Sequence, residues 1–198
     1  NGGIPGRVDA TARGALIQLD RFRELSKLKM TARPSLVVQG FGNVGGNLAA
    51  LIRDNPKTFP YEIVAISDAR GGLYNQNGLD IAALVKWYAE HGSFAGYAGA
   101  DEVTNDELLL LPADVLVPAA TEEQITEKNA PHIAAKMVVE VANEAITPKA
   151  NEILFDRHIS VLPGISANAG GVTVSYFEWR KNRGDRPHEV DYEAEQRW

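Results

Sequence analysis

Val37-Val38-Gln39-Gly40-Phe41-Gly42-Asn43-Val44-Gly45 is the stretch on which the fold turns. Its first residues read as the end of a buried strand, and the glycines at 40, 42 and 45 follow the G-x-G-x-x-G spacing of a strand that turns sharply into a helix. Gly40 can make the tight turn, Gly42 lets a phosphate approach the backbone, and Gly45 permits close packing of helix on strand. The helix start at Asn43 and Val44 then offers unpaired N–H groups and a positive dipole end to an anion. The plain alternative is a glycine turn without a ligand, and the flanking strand and helix weigh against it.

Outward from this turn, segments 35–39, 62–66, 114–117, 137–140 and 159–162 are nearly continuous apolar runs rich in β-branched residues. Strands buried on both faces of a parallel sheet look like this. Between them, 43–53 and 79–90 carry apolar residues at helical spacing, the latter through Ile81, Leu84, Val85 and Tyr88. Thr104-Asn105-Asp106-Glu107 and Thr121-Glu122-Glu123-Gln124 both match a capping box, and Thr147-Pro148 offers an N-cap followed by proline. Strand then helix, repeated, predicts right-handed crossovers and an α/β fold with a doubly wound, mostly parallel sheet of Rossmann type. Further helices are expected over 10–25 and 171–182, and 71–78 reads as a small turn or hairpin insert. Residues 1–182 form the expected domain, and 183–198 a charged, proline-interrupted tail.

Composition agrees with one ordinary domain. The chain has 198 residues, 44% of them apolar, and no apolar run of membrane-spanning length. A net charge of −6 with scattered Lys and Arg argues against nucleic acid or an anionic membrane as partner. The absence of cysteine removes disulfides, thiolate metal sites and thiol nucleophiles, and suits a reducing, cytoplasmic setting. No metal site is expected. The first residues have neither the basic segment nor the apolar stretch of a signal peptide, and read as a loop entered in mid-chain.

Ser67-Asp68 closes the second strand, 23 residues after Gly45, near the ~20-residue interval at which an acid meets an adenosine ribose. A carboxylate at Asp68 would accept both ribose hydroxyls and repel a 2′-phosphate, favouring NAD; Arg70, two residues on, keeps NADP open. Alternatively, Asp68 caps the turn through Gly71-Gly72. Small residues at Pro118-Ala119-Ala120 and the amide of Asn143 follow the next two core strands, at the carboxyl edge where open sheets bind ligands. Each has a loop or turn reading as well. Beyond the last strand, Asn168, Val172 and Ser175 fall on one helical face. Ser175 either holds a substrate carboxylate or lets two helices pack closely.

These segments together resemble the C-terminal, NAD(P)-binding domain of the Glu/Leu/Phe/Val dehydrogenase family, closest to its hexameric glutamate dehydrogenases. The likeness rests on Gly6-Arg7 with Ala10-Thr11-Ala12-Arg13-Gly14, the glycine fingerprint, Ser67-Asp68, Gly72-Leu73-Tyr74-Asn75, Pro118-Ala119-Ala120, Ala142-Asn143, and Asn168-Ala169-Gly170-Gly171-Val172 with Ser175-Tyr176-Phe177-Glu178-Trp179. The resemblance implies that Thr11 bonds the nicotinamide carboxamide, Asn143 its ribose, and Asn168 the junction of nicotinamide and substrate. It implies that Ser175 receives the side-chain carboxylate of glutamate, with Val172 shaping the pocket and Arg7 a polar neighbour. Relatives acting on apolar amino acids lack that hydroxyl, since an apolar side chain leaves it unpaired.

The implied reaction is reversible oxidative deamination of L-glutamate to 2-oxoglutarate and ammonia, in a homo-hexamer when full length. The implied catalytic lysine and aspartate belong to an N-terminal domain outside this sequence, so none of the residues here is expected to be catalytic and the chain alone is expected to be inactive. Gly3-Ile4-Pro5, Val141 and Glu144-Ala145-Ile146 depart from the family pattern beside the cofactor, and Pro163-Gly164 departs from it in the turn beneath the nicotinamide. Other readings are a dehydrogenase for another amino acid, a stand-alone dinucleotide-binding module without turnover, and a methyltransferase-like sheet, the last poorly served by Ser175 and Gly170-Gly171.

Overall fold

The strand that carries the fingerprint lies in the middle of the sheet, and the rest of the chain is wound around it. The structure is a computed structural model and describes residues 3–184. Its elements run α1 (Ala10–Ser26), β1 (Ser35–Gln39), α2 (Asn43–Asp54), β2 (Glu62–Ser67), β3 (Gly72–Tyr74), α3 (Ile81–His91), β4 (Asp101–Val103), α4 (Asn105–Leu109), β5 (Val115–Pro118), β6 (Met137–Val139), α5 (Pro148–Asp156), β7 (Ser160–Leu162), α6 (Gly164–Ala167) and α7 (Ala169–Asn182). The expected charged tail lies, beyond Gly184, outside the described residues.

The strands form one sheet in the order β4-β3-β2-β1-β5-β6-β7, parallel throughout except at β3 and β4. Leu36, Val37 and Val38 are all fully buried, and they alternate between two cores. Leu36 and Val38 face the cluster built with α1, α2 and α3, whereas Val37 joins Leu116, Val138 and the α4 and α5 side. Burial on both faces explains why these strands read as unbroken apolar runs. The sheet order reverses between β1 and β5, where Gln39 pairs with Pro118. A crevice at the carboxyl ends of these two strands is the ligand position of an open α/β sheet.

The opposite edge is fastened by a polar cluster. Asp114 accepts the Ser35 amide at 2.9 Å and the Lys136 ammonium at 2.7 Å, tying the starts of β1, β5 and β6. Burial opposes ionisation of Asp114, but Lys136 and the Ser35 amide and hydroxyl outweigh it and hold the carboxyl below its usual range.

Several elements differ from the sequence reading. The insert at 71–78 is antiparallel β3 with its following turn, and it pairs with a strand that was not expected, β4. At three residues, two of them charged and exposed, β4 carries no apolar signal. Thr104 does form a capping box with Glu107, and Thr147 caps α5 ahead of Pro148. Thr121 does not start a helix. The Gln124 side chain donates to Thr121 Oγ1 and the Glu122 carbonyl instead, each at 2.9 Å, and folds 121–124 into a loop. The β5 to β6 crossover therefore has a 3-10 turn at Ala130–His132 in place of an α-helix.

Candidate functional site

The glycine turn is built by contacts that explain each glycine. Gly40 has φ of 99°, and a Cβ there would lie 3.0 Å from the Ala119 carbonyl and the Ala120 backbone. A Cβ on Gly45 would collide with the Gly40 carbonyl, so helix α2 can start this close to β1 only with glycine. Gly42 differs, because a Cβ there meets nothing within 4 Å: it faces open space at the N-terminus of α2, where no side chain caps the first turn. Asn43 and Val44 follow as its first helical residues. Backbone donors, a dipole and room converge there, as an anion requires.

Phe41 and Ser67 support this turn from behind. Phe41 packs against Tyr88 and Phe94 at ring separations of 4.8 and 4.9 Å, anchoring the turn to α3 and the loop after it. Ser67, read from sequence as a cofactor contact, is fully buried, and its hydroxyl accepts the Gly40 amide at 3.2 Å. It shapes the turn and has no surface to offer a ligand. Asp68 adopts its capping alternative, with Oδ1 accepting the amides of Arg70 (2.7 Å) and Gly71 (3.2 Å) and Oδ2 that of Phe94 (3.0 Å). It borders a hollow of about 300 Å³ that Arg70 and Asn105 also line.

The second half of the site is a cleft of about 740 Å³ over the ends of β5 and β6. It gathers Arg7, Thr11, Val44, Ala119, Ala120, Asn143, Asn168, Val172 and Ser175, residues from distant parts of the sequence that the reading singled out. Thr11 reaches it because α1 crosses α7 with backbones in contact: a Cβ on Gly14 would lie 3.0 Å from Gly170 Cα, and one on Gly171 would strike Thr11 Oγ1. Arg7 stands at the rim, 3.6 Å from Glu178 of α7. Ser175 donates back to the Gly171 carbonyl at 2.9 Å, so its hydroxyl must rotate to donate elsewhere.

Asn143 and Asn168 form a pair whose orientation can be derived. Asn168 donates to the Val141 carbonyl at 3.2 Å, which fixes that side-chain atom as Nδ2, and the same Nδ2 donates to Asn143 Oδ1 at 2.8 Å. Both Asn168 Nδ2 hydrogens and the single side-chain oxygen of Asn143 are thus engaged. Outside these bonds the pair, which lines the cleft, keeps one donor group, Asn143 Nδ2, and one acceptor, Asn168 Oδ1. A carboxamide or a sugar hydroxyl matches that combination.

Val141, expected beside the cofactor, lines the cleft, and Thr121 and Glu122 line it without having been read as site residues. The capping-box match at 121–124 concealed Thr121 and Glu122, since it assigned their side chains to a helix start.

Residues 2–196 match the Glutamate/Leucine/Phenylalanine/Valine dehydrogenase family model. The chain belongs to this family. It is 44% identical over 185 residues to the NADP-specific glutamate dehydrogenase A1 of Halobacterium salinarum, covering 92% of this chain and 43% of that protein. It is 46% identical over 181 residues to the cryptic catabolic NAD-specific glutamate dehydrogenase of Bacillus subtilis, covering 91% and 41%. The leucine-bound hetero-hexameric glutamate dehydrogenase of Thermus thermophilus superposes with a TM-score of 0.85 at 31% identity, over 99% of this chain and 44% of that one. The chain therefore spans about two-fifths of the length of these family members. Among the described residues, no helix is long and apolar enough to cross a membrane.

Proposed function

We propose that this chain is the dinucleotide-binding part of an NAD(P)-dependent glutamate dehydrogenase, in which a preceding domain supplies the catalytic lysine and aspartate and the assembly is a hexamer. The observation that carries the proposal is the single cleft that joins Thr11, Asn143, Asn168 and Ser175 beside the uncapped N-terminus of α2. Relatives named NADP-specific and NAD-specific glutamate dehydrogenases support a nicotinamide dinucleotide with L-glutamate, 2-oxoglutarate and ammonia as its partners.

In this reading the pyrophosphate lies over Gly42, Asn43 and Val44, where backbone amides and the α2 dipole stabilise it. Thr11, Asn143 and Asn168 orient the nicotinamide end, Ser175 and Arg7 receive the substrate side chain, and Val172 closes the pocket wall. The dinucleotide, when bound, supplies the two-electron acceptor for the substrate Cα–H bond. The chain's own contribution is to hold that ring and the substrate in register.

NAD is proposed over NADP. Asp68 borders the hollow of about 300 Å³, where a carboxylate would repel a 2′-phosphate, although Arg70 on the same hollow offsets part of that repulsion. Titration calorimetry with NAD and NADP on the native protein and on Asp68→Ser tests this. The expected result is a ratio of affinities that shifts toward NADP in the variant, and an unchanged ratio removes Asp68 from cofactor choice. Glutamate-dependent reduction of NAD by the full-length protein tests the activity itself.

A further inference from the structure

Glu140 follows β6 at the point where the chain leaves the sheet for the cleft. Its side chain is half-buried and accepts two backbone amides, Ile146 on Oε1 at 2.9 Å and Gly164 on Oε2 at 2.8 Å. Its own amide donates to the Leu162 carbonyl at 3.0 Å. The bond to Ile146 closes a loop that contains Asn143. The bond to Gly164 fixes the first residue of α6, and Asn168 directly follows that helix. Gly164 suits this contact, since a Cβ there would lie 3.1 Å from Glu140 Oε2.

We infer that Glu140 is a positioning residue: one carboxylate ties the loop that carries Asn143 to the turn that leads into Asn168, and so holds the two amides in bonding register. A carboxylate suits the task because it offers acceptors only, on two oxygens, to two backbone donors that are otherwise unpaired at the loop and at the helix start. The coupling reaches a third loop. Ile125 donates to the Ala145 carbonyl, and Thr147 donates back to Ile125, so the segment held at Ile146 also holds the 121–125 loop that borders the cleft. With Glu140 in place, the bonded pair Asn143 and Asn168 is held at the cleft lining before a ligand arrives, with Asn143 Nδ2 and Asn168 Oδ1 outside the bonds that join them.

This inference rests on the proposed dinucleotide reading, and the test separates the two. In the intact polypeptide, affinities for NAD and for ADP, which lacks the nicotinamide and its ribose, are measured for the native protein, Glu140→Gln and Glu140→Ala. Glutamine keeps the shape but sets an NH₂ group against one backbone donor, so NAD should bind about tenfold more weakly while ADP stays within roughly twofold. Alanine should give a larger loss of the same kind. Gly164→Ala, which crowds Oε2 without removing the carboxylate, should also weaken NAD alone and keeps the test open if Glu140 variants do not fold. Equal loss of NAD and ADP, or NAD affinity unchanged in all three variants, overturns the positioning role. Native protein that binds neither ligand overturns the dinucleotide reading instead.

Discussion

Gly14 of α1 and Gly170 of α7 meet backbone to backbone, and a Cβ on Gly170 would run into the Ala10 carbonyl. The helix crossing that brings Thr11 to the cleft exists because neither residue has a side chain. Gly170→Ala must push the helices apart, so it should destabilise the fold by about 1–3 kcal/mol, as overpacking does. Gly171→Ala meets only the Thr11 hydroxyl, a group that can rotate, and should weaken dinucleotide binding with a smaller change in melting temperature. Equal melting shifts for the two variants would contradict this division.

Gly42→Val separates fold from ligand. Open space surrounds the position of its Cβ, and its φ of −76° is accessible to any residue, so the variant should melt near the native temperature. The valine methyls would occupy the place proposed for the pyrophosphate. NAD binding should fall below detection in calorimetry, and retained affinity would remove the fingerprint from the site.

The central strands were legible because Leu36, Val37 and Val38 must be apolar on both faces, and the turn because only glycine fits at 40 and 45. Cleft residues were legible where a motif named them. What stayed hidden depends on partners distant in sequence. Ser67 and Asp68 stand where a ligand contact is expected, but their bonds to Gly40 and Phe94 turn them inward. Glu140 looks like one more polar strand end until its partners at 146 and 164 are in place. The β4 strand escaped because three residues paired to an equally short neighbour need no apolar pattern.

Acid stability should depend on Asp114. Its folded-state carboxyl titrates below the ordinary value of 3.8, so its contribution is complete above that value and is lost as the pH falls through the folded one. Asp114→Asn should lower stability at pH 7 by about 1–3 kcal/mol, through loss of the charge-assisted bonds to Lys136 and Ser35. Melting curves of variant and native protein should converge as the pH drops below about 4. A gap that stays constant down to pH 2 would show that the loss is packing and not charge.

Ser175→Ala in the full-length protein should reduce glutamate turnover and spare norvaline, which has no side-chain carboxylate. The missing bond to a charged group corresponds to roughly 1.5–3 kcal/mol in kcat/KM. Ser175 already bonds Gly171, so its removal also relaxes α7 slightly, and that effect is common to both substrates. Equal loss on the two would return Ser175 to a packing role.

The 198-residue chain by itself should bind dinucleotide and show no glutamate-dependent reduction of it. Oxidative deamination needs a base near the reacting carbon, and the titratable side chains that line the described cleft are Arg7 and Glu122. Arg7 is permanently protonated and paired with Glu178. Glu122 lies on the exposed loop after β5, and among the described residues no partner in the cleft positions its carboxylate against a substrate at Ser175. On α7 the cleft is open: Val172 is 70% exposed and Tyr176 and Trp179 about half, the side on which the proposed preceding domain would close it. Holding substrate against the nicotinamide can account for ~7–11 kcal/mol of barrier, and an open cleft forgoes most of it. The check is a spectrophotometric assay at saturating glutamate with Gly42→Val as the blank. Turnover above that blank would mean that a base within this domain, with Glu122 the first to replace by glutamine, does the work proposed for a lysine of the preceding domain.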